Sequence, residues 1–155
     1  MYETIDRPRY VISGLAGIYA GLETYSWPLI RVATGLFFVP HGMQKLFGFW
    51  GGDLAKYAEG FAKLGLQPGM FWAGYIGCLE FFGGLLLVVG LLTRPIAALF
   101  VGFMAVAAFH VTIQRGWFWS GGGMEVPLYL MLILIALVIR GGGALSIDRA
   151  LGREI

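Results

Sequence analysis

Residues 70–92 read MFWAGYIGCLEFFGGLLLVVGLL, a long apolar run with a single charged side chain, that of Glu80. A helix of about 20 apolar residues crosses the hydrocarbon core of a bilayer, so this run is long enough to span it. A charge at the centre of a membrane helix costs about 2.5 to 3.5 kcal/mol, which the surrounding leucines, valines and phenylalanines outweigh. Because ionisable residues at that depth generally face a partner or a cavity, Glu80 is the leading functional candidate.

The composition of the whole chain is that of a membrane protein. Of its 155 residues, 58% are hydrophobic and 13% are charged, and the mean hydropathy is +0.76. Three further apolar runs occupy residues 28–47, 95–113 and 126–139. Backbone groups in hydrocarbon must be hydrogen-bonded within their own segment, so such continuous runs favour helices over the alternating strands of a barrel. The predicted fold is therefore all-α, a bundle of four transmembrane helices of which the last is short.

Two segments outside these runs have their own patterns. Between the first two spans, Leu54, Tyr57, Ala58 and Phe61 recur at helical spacing while charged residues occupy the rest of the wheel, which predicts an amphipathic helix on the outer surface. Residues 10–22 are too short to span and rich in glycine, and we expect a peripheral or interfacial helix there. The predicted organisation is an N-terminal extension, the four-helix membrane domain and a short tail, at residues 1–27, 28–151 and 152–155.

The distribution of basic residues predicts the orientation. One side of the bundle is expected to hold both termini and most of the arginines, namely Arg7, Arg9, Arg94, Arg140, Arg149 and Arg153. The other side has Lys56, Lys63 and Arg115. Since positive residues favour the cytoplasm, both termini are predicted to lie inside the cell. The net charge of +2 is modest and the basic residues are scattered, so no nucleic-acid partner is predicted.

Polar residues on the spans predict one site. His41, Gln44 and Lys45 lie one turn apart on the first span, and Arg31 lies close to the same stripe. With alternating topology, His110 and Glu125 fall in the same outer half of the membrane. We expect a polar chamber roofed by Trp117, Trp119 and glycines 121–123 and lined by His41, Gln44, Lys45, Glu80, His110 and Glu125. Glu80 and His41 are the catalytic candidates, and the ligand-binding candidates are Lys45, Gln44, His110, Glu125 and Trp119.

Each of these residues also has a purely structural interpretation. Lys45 and Arg31 can snorkel to opposite interfaces, His110 can hydrogen-bond across helices, and Glu125 can complement the dipole of its own helix. Glu80 can be a protonated acid that donates one interhelical hydrogen bond. No metal site is predicted, because no HxxxH or ExxH spacing places two ligands on one helical turn.

Several motifs, in order along residues 28–151, resemble the DoxX-like family of small membrane proteins. The first span carries an arginine followed by HGMQKL at residues 41–46, and the second reads GCLEFFGGLLLVVGLLTRPIA at residues 77–97. WFWSGGGMEVPL at residues 117–128 and GGGALSIDRAL at residues 141–151 resemble the remaining segments. The matching positions of the second span are Gly77, Glu80, Gly83, Gly84, Gly90, Thr93 and Arg94.

The resemblance implies a four-helix bundle in the cytoplasmic (inner) membrane of a bacterium or archaeon, in a family linked to quinone-coupled oxidation of sulfur compounds and to redox-stress assemblies. The resulting hypothesis is a membrane subunit of a quinone-linked oxidoreductase assembly that holds quinone, or a small reduced substrate, in the outer chamber. One alternative is a non-catalytic accessory subunit that stabilises a larger respiratory or photosynthetic complex; another is a small-solute transporter. The expected partners are membrane lipids and either other membrane or redox subunits or further copies of the chain.

Overall fold

The computed structural model describes residues 10–152. All of the regular secondary structure within these residues is helical. The all-α prediction is confirmed. Arg7, Arg9 and Arg153, which contributed to the predicted orientation, lie outside the described residues. Three short 3-10 turns cover Ser13–Leu15, Phe49–Gly51 and Trp119–Gly121. The longer elements are α1 (Ala16–Phe47), α2 (Leu54–Lys63), α3 (Gly69–Val89), α4 (Thr93–Arg115), α5 (Glu125–Arg140) and the single turn α6 (Ile147–Ala150).

Within residues 10–152, α3 and α4 are the two helices long and apolar enough to cross a membrane, judged by length and composition. They contain 21 and 23 residues. The helix α1 has 32 residues and interrupts its apolar sequence with Glu23, Arg31 and Lys45, whereas α5 has only 16 residues. Residues 16–27 and the first predicted span form one continuous helix, α1. This helix also contains Pro28 and Pro40.

The long helices run antiparallel in chain order, with α1 packed along α3 and α4 packed along α5. They meet in an apolar core where the rings of Phe38 and Phe100 stack with centroids 4.0 Å apart. We call the end of the bundle where α1 begins and α5 ends the terminal end, and the opposite end, where α2 packs on the start of α3, the α2 end. The other buried core residues are Leu79, Leu87, Ala97, Met104, Leu134 and Leu137.

Glycines bring α1 and α3 close together. A Cβ atom on Gly35 would lie 2.6 Å from the carbonyl oxygen of Gly84, and one on Gly42 would overlap the backbone of Phe81. Small residues at a crossing allow two helix backbones to approach, which is the usual way of packing helices without a hydrophobic driving force. The relative register of α1 and α3 is fixed by these contacts.

Arg31 is the largest side chain buried at the terminal end, with 1% of its surface exposed. Its Nη1 donates to the carbonyl oxygen of Gly142 at 2.9 Å, and its Nη2 donates to that of Leu145 at 2.6 Å. A third acceptor, the carbonyl oxygen of Val88, lies 3.5 Å from Nη2. Arg31 therefore points into the bundle and ties α1 to α3 and to the segment after α5; it does not snorkel to the interface.

Asp148 completes this end of the bundle. Its carboxylate accepts hydrogen bonds from the backbone N–H groups of Leu92 (2.7 Å) and Thr93 (2.9 Å), at the start of α4. Its own N–H donates to the carbonyl oxygen of Gly90 at 2.9 Å. A negative charge at a helix N-terminus complements the unpaired N–H groups there. The residues after α5 are thus anchored to the turn between α3 and α4.

We expect Gly90→Ala to destabilise the protein strongly and Gly102→Ala to leave its stability unchanged or slightly higher. Gly90 has a φ of +70°, and a methyl group there would overlap the guanidinium of Arg31. The left-handed backbone alone costs a non-glycine residue about 1–2 kcal/mol. A Cβ on Gly102 meets open space in a helix, where alanine is favoured by about 0.5–1 kcal/mol. Thermal midpoints in detergent measure both variants, and equal midpoints would refute the importance of the Arg31 contacts.

Candidate functional site

The candidate site is built on a buried ion pair between α1 and α3. The Nζ atom of Lys45 lies 2.7 Å from Oε2 of Glu80, and the two side chains are 10% and 5% exposed. Lys45 lies in the last turn of α1, whereas Glu80 lies near the middle of α3. Two close helix contacts flank the pair, since Gly42 abuts Phe81 and a Cβ on Gly77 would lie 2.9 Å from Leu46. The glycine contacts therefore bring the two charges together.

Tyr57 on α2 covers the ion pair from the side of the loop. The Nζ atom of Lys45 lies 5.0 Å from the centroid of its ring, within the range of a cation–π contact. Ala58, the next residue, is 8% exposed, so this face of α2 is packed onto the bundle. Asp53 caps α2 by accepting a hydrogen bond from the N–H of Ala55 at 2.9 Å. We call Lys45, Glu80 and Tyr57 together the Lys45 site.

Partial burial raises the pKa of Tyr57 above its ordinary value, and the negative charge of Glu80 raises this pKa further. Both effects disfavour the phenolate: burial removes water from it, and a carboxylate repels it. The phenol of Tyr57 is therefore kept in its neutral form at the side of the ion pair.

Two of the predicted site residues lie in π-helical segments. Glu80 is in the segment Leu79–Gly83 of α3, and His110 is in the segment Ala107–Thr112 of α4. Such wide turns are rare, and they occur frequently at functional sites because they rotate the side chains that follow relative to a regular helix. The wide turn at Leu79–Gly83 therefore contains the residue whose carboxylate contacts Lys45.

The six residues predicted to line one chamber do not converge. His41 is exposed, and its ring lies 5.1 Å from that of Phe37 on the same helix. Gln44 is partly buried beneath Gly52, in the turn after α1. The buried stripe of α1 explains both positions: His41 lies about 70° and Gln44 about 130° from the centre of that stripe on a regular helix. Between residues 31 and 45 the stripe consists of Arg31, Thr34, Gly35, Phe38, Gly42 and Lys45.

His110, Glu125 and Trp119 lie elsewhere at the α2 end. The Nε2 atom of His110 is 3.0 Å from the carbonyl oxygen of Leu64, so this exposed histidine links α4 to the turn after α2. Glu125 accepts a hydrogen bond from the backbone N–H of Trp119 at 3.0 Å and so closes the loop before α5. Trp119 itself is 51% exposed. Of the predicted lining residues, the structure joins only Lys45 and Glu80 directly.

Tyr57 is a site residue that the sequence reasoning assigned only to the apolar face of α2. The sequence feature that could have indicated its role is a hydroxyl-bearing ring on that face, in the helix that follows the first span.

Among residues 10–152, no three His, Cys, Asp or Glu side chains are grouped as metal ligands would be.

An apolar groove lies between α3 and α4, and its lining does not include Lys45, Glu80 or Tyr57. Its volume is about 270 Å³. Ile76, which lines it, precedes Glu80 by one helical turn, and Gly102 leaves the α4 wall open. Its other lining residues include Leu66, Trp72, Tyr75 and Phe103.

Comparison with known proteins decides the family. A family model described as DoxX matches residues 26–113, a range that contains the Lys45 site. The chain belongs to the DoxX family. This confirms the resemblance seen in the sequence and makes the chain a DoxX-family membrane protein. The matched range begins two residues before the predicted membrane domain and ends before α5, so Trp119 and Glu125 lie beyond it.

Curated relatives support this assignment. The chain is 32% identical to the "Putative oxidoreductase CatD" of Bacillus subtilis (strain 168), over 77% of this chain and 82% of the relative. It is 31% identical to "Inner membrane protein YphA" of Escherichia coli (strain K12), over 78% and 86% of the two chains. It is 29% identical to "Inner membrane protein YqjF" of the same organism, over 86% and 97%. No solved structure matches the DoxX chain.

We expect Lys45→Met to lower the free energy of unfolding by about 3–5 kcal/mol, because it leaves the carboxylate of Glu80 buried without its partner. The double variant Lys45→Met/Glu80→Leu is expected to be more stable than Lys45→Met, since replacing a buried pair by apolar residues of similar volume is often neutral. Chemical unfolding in mixed micelles measures the cycle. If the effects of Lys45→Met and Glu80→Leu simply add in the double variant, the pair has no coupling energy.

The raised pKa of Tyr57 predicts a loss of stability in alkali. The folded protein holds the phenol proton more tightly than the unfolded chain, so this contribution is complete below about pH 10, the ordinary value. It is lost as the pH rises through the raised pKa. We expect the thermal midpoint of Tyr57→Phe to fall less steeply above that pH than that of the wild type. Tyr25→Phe is the control, because Tyr25 is 55% exposed on α1; identical slopes in all three proteins would contradict the prediction.

Proposed function

We propose that this protein is the membrane subunit of a quinone-linked oxidoreductase assembly, and that it binds quinone at the Lys45 site with the isoprenoid tail along the groove between α3 and α4. The observation that carries the proposal is the Lys45–Glu80 pair, buried at 2.7 Å in the region that matches the family. The name of the Bacillus subtilis relative, a putative oxidoreductase, agrees with this reading.

The proposal includes the full membrane topology. We propose that α1, α3, α4 and α5 are the four spans and that the terminal end, with Arg94, Arg140 and Arg149, faces the cytoplasm of the inner membrane. The helix α1 would rise about 48 Å and so exceed the hydrocarbon core, whereas α5 needs its flanking residues or a thinner bilayer. Residues 16–27 would then extend α1 beyond the core.

The chemistry of the donors fits a quinone carbonyl. A lysine ammonium has three N–H donors, and among the described residues Nζ of Lys45 has one hydrogen-bond acceptor, Glu80. A further N–H can bind a carbonyl oxygen, and the neutral phenol of Tyr57 can donate to another. Glu80, and His41 one helical turn before Lys45, would hold and release the protons that accompany quinone reduction, with electrons supplied by a redox-active partner subunit.

The groove fits the tail. Apart from the polar tips of Trp72 and Tyr75, its named walls are aliphatic or aromatic, and Ile76, one of them, lies one helical turn before Glu80. Small-molecule pockets are usually lined by apolar side chains with a few polar groups that point at the ligand. A lipid-soluble ligand would reach this groove from the bilayer without crossing water.

The quinone content of the purified protein tests the proposal. After gentle solubilisation, solvent extraction and chromatography, we expect quinone in the wild type and little in Glu80→Gln or in the double variant Lys45→Met/Glu80→Leu. Gly102→Phe should also lose quinone, because its ring fills the groove. Gly74→Phe is the matched control, since a Cβ there also meets open space but Gly74 does not line the groove. Wild-type protein without quinone, or equal content in all variants, would refute the binding site.

A second candidate function is that of an accessory subunit, and a specific surface favours it. The first part of α1 is apolar yet uncovered: Ile18, Tyr19, Leu22 and Tyr25 are each at least 49% exposed. Large apolar surfaces of this kind mark contacts with other proteins or with the membrane. A large complex that co-purifies equally with the wild type and with Lys45→Met/Glu80→Leu would favour the accessory role over the quinone role.

A further inference from the structure

A polar pocket lies at the terminal end of the bundle, opposite the end that holds the Lys45 site. Its volume is about 360 Å³. The pocket combines the start of α1 with the end of α5 and with α6. Its lining includes Glu23, Thr24, Trp27, Arg140, Gly143 and Arg149.

Arg140 is held in place by Trp27. Its guanidinium carbon lies 4.8 Å from the centroid of the indole ring, and the indole Nε1 donates to the carbonyl oxygen of Gly141 at 2.9 Å. Gly143 closes the other side of this contact: its φ is +76°, and a Cβ there would lie 2.6 Å from Cδ1 of Trp27. Stacking uses the face of a guanidinium and leaves the N–H donors at its edge available.

Arg149 is positioned by a different element. Its backbone N–H donates to the hydroxyl of Ser146 at 3.2 Å, which caps the single turn α6. The preceding residue, Asp148, is bound to the start of α4. The two arginines that line the pocket therefore come from separate, anchored segments.

The charge of the pocket suits one anion. Two guanidinium groups and the carboxylate of Glu23 sum to +1. Within residues 10–152, neither Arg140 nor Arg149 has a carboxylate oxygen within 4 Å. The planar fork of an arginine matches a phosphate group in geometry as well as in charge.

The depth of the pocket suits a lipid headgroup. Residues 23–27 directly precede the apolar run 28–47, and Arg140 directly follows the run 126–139. With α1 and α5 as spans, as proposed above, the pocket would lie where hydrocarbon gives way to headgroups. Basic pockets at this level between membrane helices bind anionic headgroups. We propose that the pocket binds the phosphate of one anionic glycerophospholipid between Arg140 and Arg149. The proposal is independent of quinone binding, and it rests on the four-span topology proposed above, with the terminal end at the cytoplasmic surface.

Native mass spectrometry of the full-length protein tests this. The protein in a nonionic detergent is offered phosphatidylglycerol or phosphatidylcholine with the same acyl chains. We expect the wild type to retain phosphatidylglycerol preferentially and Arg140→Gln/Arg149→Gln to retain roughly tenfold less or lower still, since each basic residue near the surface contributes substantially. The control Lys56→Gln/Arg115→Gln removes the same charge at the α2 end and should retain as much as the wild type.

Three results would overturn the proposal. They are equal retention of the two lipids by the wild type, an equal loss in both double variants, and an increase in thermal midpoint with inorganic phosphate alone that matches the increase with phosphatidylglycerol. The last would show that a free anion, rather than a lipid, is the ligand. If the glutamine pair does not fold, the single variant Arg149→Gln leaves the contact of Arg140 with Trp27 in place. It should retain less phosphatidylglycerol than the wild type, and full retention would overturn the proposal.

Discussion

A charged side chain that is buried between apolar helices needs a partner from another part of the chain. The rest of this structure depends on the partners of the two buried cations of α1. Lys45 finds the carboxylate of Glu80 on α3, and Arg31 finds the carbonyl oxygens of Gly142 and Leu145. Moving α1 by one residue would shift its side chains about 1.5 Å along the axis and 100° around it, and so break both sets of bonds. The two cations together fix α1 against its neighbours.

These bonds depend in turn on small residues. Lys45 reaches Glu80 because Gly42 allows α1 to touch the backbone of Phe81, and Arg31 fits into the turn after α3 because Gly90 has no side chain. Any larger residue at either position would separate the elements that supply partners. The close approach of the helices and the pairing of the buried charges therefore constrain the same geometry. The glycine contacts place the charges next to their partners, and the charge contacts hold the helices at that distance.

Sequence reasoning predicted what a single helix determines. It predicted the helical class, the burial of Glu80 and the amphipathic pattern of α2, because hydrophobic periodicity is local. It did not predict that His41 is exposed or that His110 contacts the carbonyl oxygen of Leu64, because a helical wheel gives angles within one helix and not the rotation or separation of two. The partners of Arg31 were invisible for another reason: they are backbone carbonyl groups, which every residue has and no motif records.

The two ends of the bundle differ in how their buried charge is satisfied. At the terminal end, Arg31 and Asp148 bond mainly to backbone groups, which move only if a whole helix or turn moves. At the α2 end, Lys45 and Glu80 are joined through two side chains and covered by Tyr57 from a helix of ten residues. Side chains change rotamer far more readily than helices change register. The Arg31 and Asp148 contacts are thus suited to hold the bundle together, whereas the Lys45–Glu80 pair can change hydrogen-bond partners without any helix moving.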